Sequence, residues 1–385
     1  YHYNMNSRLR IIHLFLQLLF TCSITGQAYT PEMLAYIRNK AISPQAYVIE
    51  KFKTYDVILL GEHHLVKQNL QFVTQLIPEL YRNGIYAIGM EFGAQEDQHV
   101  LDSLVLAPAY DEQTARQIMF NYNVTWGYQE YIDVYKAAWK FNHTLPANAR
   151  KFRILNLSYV FQWKGFEGKR DQESMASVFP KGTIDKFRAQ VIEREIIRSD
   201  DKILALVGTP HAYTRYGSPY YLFNGDGFCG FDKSWLGNRL YARHTDKVFS
   251  ILLHQPFLKE VDGQYLWTSP AKGSIEAIMA QNQHKQVGFD LSRTPLGQLS
   301  DDSQHALCYP EFTLEQFFDG YVYLAPLKKL EGCTPIDDFV NEKNIQHAIE
   351  QFPDPEWHAP VTNLEEMRAF IRMNGKRIEE ECKNL

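Results

Sequence analysis

The sequence lacks the signatures of several common chemistries. There is no Gly-x-Ser-x-Gly elbow, which argues against a standard serine α/β-hydrolase. There is no P-loop and no Gly-x-Gly-x-x-Gly fingerprint, which argues against nucleotide-dependent chemistry. Cysteine is sparse, five in 385 residues, and no Cys-x-x-Cys occurs; a thiol redox motif or a zinc ribbon is therefore not indicated. The net charge is −5 with no long basic stretch, so nucleic acid is not expected as a partner. Past the N-terminus no apolar run reaches the ~20 residues a spanning helix needs, and no repeat at solenoid spacing is present.

What is present is enough apolar side chain for a sizeable core. Hydrophobic residues make up 45% and aromatics 14%, with 23 Tyr and 24 Phe; most of these rings are expected in the interior. The N-terminus reads as an export signal over 1–28. Met5 reads as its start, with 1–4 an extension ahead of it. Arg8 and Arg10 are basic, 11–20 are apolar apart from His13 and Gln17, and Gly26-Gln27-Ala28 offers a cleavage site. Lipoprotein processing at Cys22 is the lesser alternative, because Thr21 fits a lipobox poorly. A periplasmic or extracellular location follows, which permits disulfides among Cys229, Cys308, Cys333 and Cys382. Cys308 and Cys333 flank the last expected strand and are the expected pair.

Apolar runs and helical spacings alternate along the chain. Strands are expected at 56–60, 85–90, 152–157, 202–207, 248–253, 286–291 and 317–324. Between the first two, Leu70, Val73, Ile77 and Leu80 repeat near the helical period, and Asn83-Gly84 supplies a C-cap. Strand–helix–strand order with continuous apolar strands predicts an α/β fold: a mixed, mostly parallel sheet sandwiched between helices. One large domain over 29–330 is expected, with a helical insertion over 100–142 and a C-terminal helical extension over 331–385. Helices are expected at 172–179 and 184–197, the second with Arg188, Glu193, Arg194 and Glu195 on exposed faces. A loop over 217–237 is expected above the site, and a capping box at Thr362 and Glu365 opens the terminal helix.

Two short elements close two of the apolar runs. Gly61-Glu62-His63-His64 follows 57–60, and Gly208-Thr209-Pro210-His211 follows 203–207. Glu91 ends a third run. Ligands and chemistry collect outside the carboxyl ends of strands in open α/β sheets. Imidazole suits proton transfer near neutral pH or metal ligation, and two His with a carboxylate suffice for a divalent ion. The expected metal or catalytic set is therefore His64, Glu91 and His211, with Glu62 beside them. Strand alternation turns one of His63 and His64 away, and His64 is the expected inward residue. Arg170, or Arg215 and Tyr216, would meet an anionic intermediate. Asp171 is expected to cap the 172–179 helix. His254 ends a strand as a bystander; His99, His143, His284 and His305 are expected on the surface.

Taken in order, LLGEHH at 59–64, MEFG at 90–93, Trp126 with Glu130, RDQESMA at 170–176, GTPHA at 208–212, SWLGNRL at 234–240 and FFDGYVYL at 317–324 resemble the TIKI/ChaN-like superfamily, which includes the erythromycin esterases. The resemblance spans roughly 55–325. It implies a site at the strand ends and two kinds of activity. The esterase-like and TIKI-like reading is hydrolysis of an ester, amide or peptide, with His64 or His63, Glu91 and His211 carrying the chemistry, Arg170 assisting, and a divalent metal as a candidate cofactor. The ChaN-like reading is binding of haem, for which Tyr213, Tyr216, Tyr220 and Tyr221 could line the site, Tyr213 and Tyr216 foremost. The Gly-Glu-His-His spacing departs from the Gly-Glu-x-x-His usual in the esterases, so the resemblance leaves the branch open.

Overall fold

The computed structural model describes residues 29–222, 228–353 and 361–385. The expected leader at 1–28, including Cys22, lies outside the described residues. Eleven strands are described: β1 (Val57–Glu62), β2 (Ala87–Ala94), β3 (Arg153–Ser158), β4 (Ile203–Gly208), β5 (Ser218–Tyr221), β6 (Cys229–Asp232), β7 (Val248–Leu253), β8 (Phe257–Val261), β9 (Gln264–Thr268), β10 (Val287–Asp290) and β11 (Gly320–Tyr323). Seven form one sheet in the order β10-β11-β7-β1-β4-β2-β3. Every neighbouring pair is parallel except β10 with β11. The molecule is the α/β fold that the alternation of apolar runs and helical spacings predicts.

The strand period of two divides the core into two layers. Ile58, Leu60, Leu204, Leu206, Ile251 and Leu253 point to one face, where they pack with the Lys67–Arg82 and Gln129–Thr144 helices. Val57, Leu59, Ile203, Ala205, Val207 and Leu252 point to the other, against the Ile184–Glu195 and Leu236–Arg243 helices. Both faces of the central strands are thus buried, which is why they read as unbroken apolar runs. The insertion between β2 and β3 is helical, as Gln98–Leu104, Glu112–Tyr122 and Gln129–Thr144. The C-terminal residues Cys333, Ile336, Phe339, Met367 and Ile371 share the first of the two cores.

Three expectations change. Within 217–237, expected as a plain loop, β5 pairs antiparallel with β6. The disulfide joins Cys229 to Cys308, with Cα atoms 5.8 Å apart; Cys333 and Cys382 are free and buried. Proximity in sequence favoured Cys333, but its backbone is tied beneath β1 by the Leu65 carbonyl. The β5–β6 pair instead folds onto the 304–310 segment, where Phe231 meets Tyr309 and the Tyr309 hydroxyl donates to Gly217 O at 2.8 Å. The terminal helix begins one residue later than expected: Asn363 is its N-cap, accepting from Glu366 N–H. Asp171 caps the Gln172–Val178 helix as predicted. Among the described residues no helix is long and apolar enough to cross a membrane.

Candidate active site

Strand order brings the two Gly-x-x-His elements together. β1 and β4 are neighbours at the centre of the sheet, and Glu62 lies beside Gly208 in the register. β2 flanks β4 on its other side. Glu62, His64, Glu91 and His211 therefore gather at the carboxyl ends of three adjacent parallel strands, where ligands bind in open α/β sheets.

Glu91 lies within β2 and is 5% exposed. One carboxylate oxygen takes Arg188 Nη2 at 3.0 Å and His211 Nε2 at 3.3 Å. The other accepts the Gly208 N–H at 2.6 Å. Burial works against its charge, but Arg188, His211 and His64 outweigh burial and hold it well below the usual carboxylate range. His211 donates through Nδ1 to Asp185 at 2.7 Å. Burial works against its cation, yet Glu91 and Asp185 prevail over burial and the nearby Arg188, lifting it to about 9. Two cations and two anions thus form a closed buried quartet, Arg188, His211, Glu91 and Asp185.

Arg188 corrects the sequence reading. The helix that carries it was expected to expose it, but the residue is 2% exposed. Nε donates to Ser158 Oγ at 3.0 Å, and Ser158 Oγ donates to the Glu91 carbonyl at 2.6 Å. Helical spacing places Asp185 and Arg188 on one face, three residues apart. The ordinary charged appearance of the helix, with Glu193, Arg194 and Glu195 following, concealed which of its charges face inward. Arg170, the expected cationic assistant, is exposed and lies over the Phe166 ring at 5.9 Å; the cation on Glu91 is Arg188. Arg215 is held by Asp319 at 2.7 Å.

The second pair is differently placed. His64 Nδ1 meets Glu62 Oε1 at 3.1 Å. That same oxygen accepts the Tyr131 hydroxyl at 2.8 Å. A carboxylate only accepts, so Nδ1 carries the proton and Nε2 keeps its lone pair in the neutral ring. Phe92 and Trp126, stacked 3.8 Å apart, hold the ring edge-on. On the other side lies Gly208, where an added Cβ would sit 2.7 Å from His64 Nε2. Gly208 has an ordinary backbone conformation, so it is required by this close approach rather than by a special turn.

His63 and His64 both open onto one cavity of about 1080 Å³. Alternation was expected to turn one of them away; the strand ends at Glu62, and the turn that follows lets both reach the cavity. Its walls include Tyr213, Tyr216, Trp267 and Tyr309. His305, expected on the surface, is a wall residue packed on Phe257 and Phe317, and burial pushes it down to about 3. His254 is buried between Tyr321 and Glu276, each within hydrogen-bond distance.

The residues expected to hold a metal, and two of the four tyrosines expected to line a haem site, are engaged or buried. Glu91 and His211 have their polar atoms engaged within the quartet, and among the described residues no three His, Cys, Asp or Glu side chains stand together as a metal site. Tyr213 and Tyr216 are each 2% exposed. Burial raises both hydroxyls far above the ordinary tyrosine range, and the Tyr216 hydroxyl donates to His305 O at 2.7 Å. A phenolate for haem iron is disfavoured at both, whereas Tyr220 and Tyr221 are exposed on β5.

Residues 48–191 match the family described as haem-binding uptake, Tiki superfamily, ChaN. No curated protein matches the chain. Among solved structures, a succinoglycan biosynthesis protein is similar with TM-score 0.50 at 10% identity, over 78% of this chain and 98% of that one. An erythromycin esterase mutant in its open conformation is similar with TM-score 0.46 at 13% identity, over 70% and 90%. ChaN of Campylobacter jejuni, described with cofacial haem binding, gives 0.34 at 16% identity, over 59% and 95%. At these identities the likeness concerns the fold. The 48–191 segment is thus similar to the Tiki/ChaN superfamily.

Proposed function

We propose that the protein is an exported hydrolase in which His64 activates water against an ester or amide carbonyl. The observation that carries this reading is the Glu62–His64 pair at the wall of the cavity, with the carboxylate on Nδ1 and no hydrogen bond to Nε2 among the described residues. Nε2 takes a proton from water, and the resulting hydroxide attacks the carbonyl. Glu62 orients the ring and stabilises the imidazolium that forms. Positioned proton transfer of this kind contributes about 100- to 10,000-fold.

The Glu91 quartet has another task. His211, positive at neutral pH and bonded at both ring nitrogens, is not a base. The quartet fixes the Gly208 backbone through Glu91 and thereby the wall against which His64 rests. No metal step is invoked, because the donor set is already engaged.

A binding function without turnover is the second reading. It is favoured by the match of 48–191 to a family described as haem-binding. Purified protein is assayed on a panel of esters, amides and peptides beside His64→Asn, and titrated with hemin. Turnover by the wild type that falls by about 100- to 10,000-fold in His64→Asn supports the hydrolase. An inert wild type with a saturable Soret shift refutes it and favours the binder.

A further inference from the structure

His63 has no role in the reading above, yet it lines the same cavity as His64. Its Nε2 lies 2.7 Å from Glu381 Oε2. Glu381 is delivered by the last helix, Arg377–Cys382, and its side chain is 7% exposed. Arg377 Nε takes the other carboxylate oxygen at 3.0 Å, so both oxygens are fixed. The helix is firmly seated: Ile378 and Cys382 pack on Val66, Leu327 and Leu330, and Gly332 N–H donates to Glu379 at 3.2 Å. On the opposite side the His63 ring meets Trp267 of β9 edge-on, 5.7 Å between centroids.

The two neighbouring histidines are therefore held in complementary ways. Glu62 grips His64 at Nδ1, and Glu381 grips His63 at Nε2. His64 Nε2 and His63 Nδ1 carry no hydrogen bond among the described residues. Hydrolysis with a poor leaving group needs a proton removed from water and a proton returned to the leaving atom, and two histidines on one cavity can divide these tasks. A histidine serving only to staple the terminal helix would have no need to border the cavity.

We propose that His63 is the proton donor to the leaving group, with Glu381 as its positioning residue; this rests on the hydrolase reading. His64 Nε2 takes a proton from water, and the hydroxide oxygen bonds to the carbonyl carbon. As the tetrahedral intermediate collapses, the bond from carbon to the leaving oxygen or nitrogen breaks. The leaving atom takes the Nδ1 proton of the His63 imidazolium. His64 then releases its proton to solvent and His63 regains one, so no net charge or proton is left on the enzyme.

The test uses two esters with the same acyl group, one releasing p-nitrophenol and one releasing ethanol. A p-nitrophenolate leaves without a proton; an ethoxide needs one. His63→Gln and Glu381→Gln are expected to slow the ethyl ester at least tenfold more than the p-nitrophenyl ester, whereas His64→Asn slows both alike. Circular dichroism confirms folding, and His63→Gln decides if the Glu381 variant does not fold. Equal slowing of both esters by His63→Gln overturns the donor role while leaving His64 as base. A wild type inert on these esters and on the whole panel of amides and peptides overturns the hydrolase reading and the donor role with it.

Discussion

The charge state of His211 separates a base from a buried cation, and it can be read directly. The perturbation is pH. In the folded protein the imidazolium lies between Glu91, 3.3 Å from Nε2, and Asp185, 2.7 Å from Nδ1, which lifts its pKa to about 9. An unfolded histidine titrates near 6.5. A folded pKa above the unfolded one means that the proton stabilises the native state. The stabilisation is fully present below about pH 6.5 and is lost as pH rises through about 9. At about 1.4 kcal/mol per pKa unit, the difference corresponds to roughly 3 kcal/mol at the acid end, with over half gone by about pH 8. The assay is the titration of the ring carbon and nitrogen resonances in histidine-labelled protein, with His211 assigned by its absence in His211→Asn. A midpoint near 9 is expected. A midpoint near 6.5 would leave the ring neutral under working conditions, dissolve the balanced quartet, and return His211 to the list of possible bases. Denaturant unfolding supplies a second check: wild type should lose its advantage over His211→Asn between pH 6.5 and 9.5.

Gly208→Ala places a Cβ 2.7 Å from His64 Cε1 and Nε2, which forces the ring off Glu62; kcat on a cleaved ester should fall on the order of 100-fold with little change in the unfolding midpoint, and wild-type kcat would refute the close approach. Arg188→Met removes one of two cations facing two buried carboxylates and should cost about 3–5 kcal/mol in urea unfolding; a loss within about 0.5 kcal/mol, the range of a surface substitution, would refute the pairing.

Much of the fold was legible because the central strands are buried on both faces. Runs such as 57–60 and 203–207 have no polar face to confuse their reading, and parallel pairing follows from the helices between them. The edge and surface strand pairs were harder. β5–β6 and β8–β9 are short and partly exposed, so neither apolar period marks them. The disulfide partner of Cys308 was illegible for a related reason: it depends on where a strand pair 79 residues away folds back.

The site divides along the same line. The sequence by itself determined that Glu62, His63, His64, Glu91 and His211 stand at strand ends, since each closes or lies within an apolar run. Which of them share a hydrogen bond was decided only by tertiary structure. Strand order set β4 between β1 and β2, so Glu91 reaches Gly208 and His211 while Glu62 reaches His64. The face of a charged helix turned Asp185 and Arg188 inward, and the last helix brought Glu381 across 318 residues to His63. Charges look alike in a sequence whether they face water or one another. Only packing, by removing the water, gives each of them a definite partner.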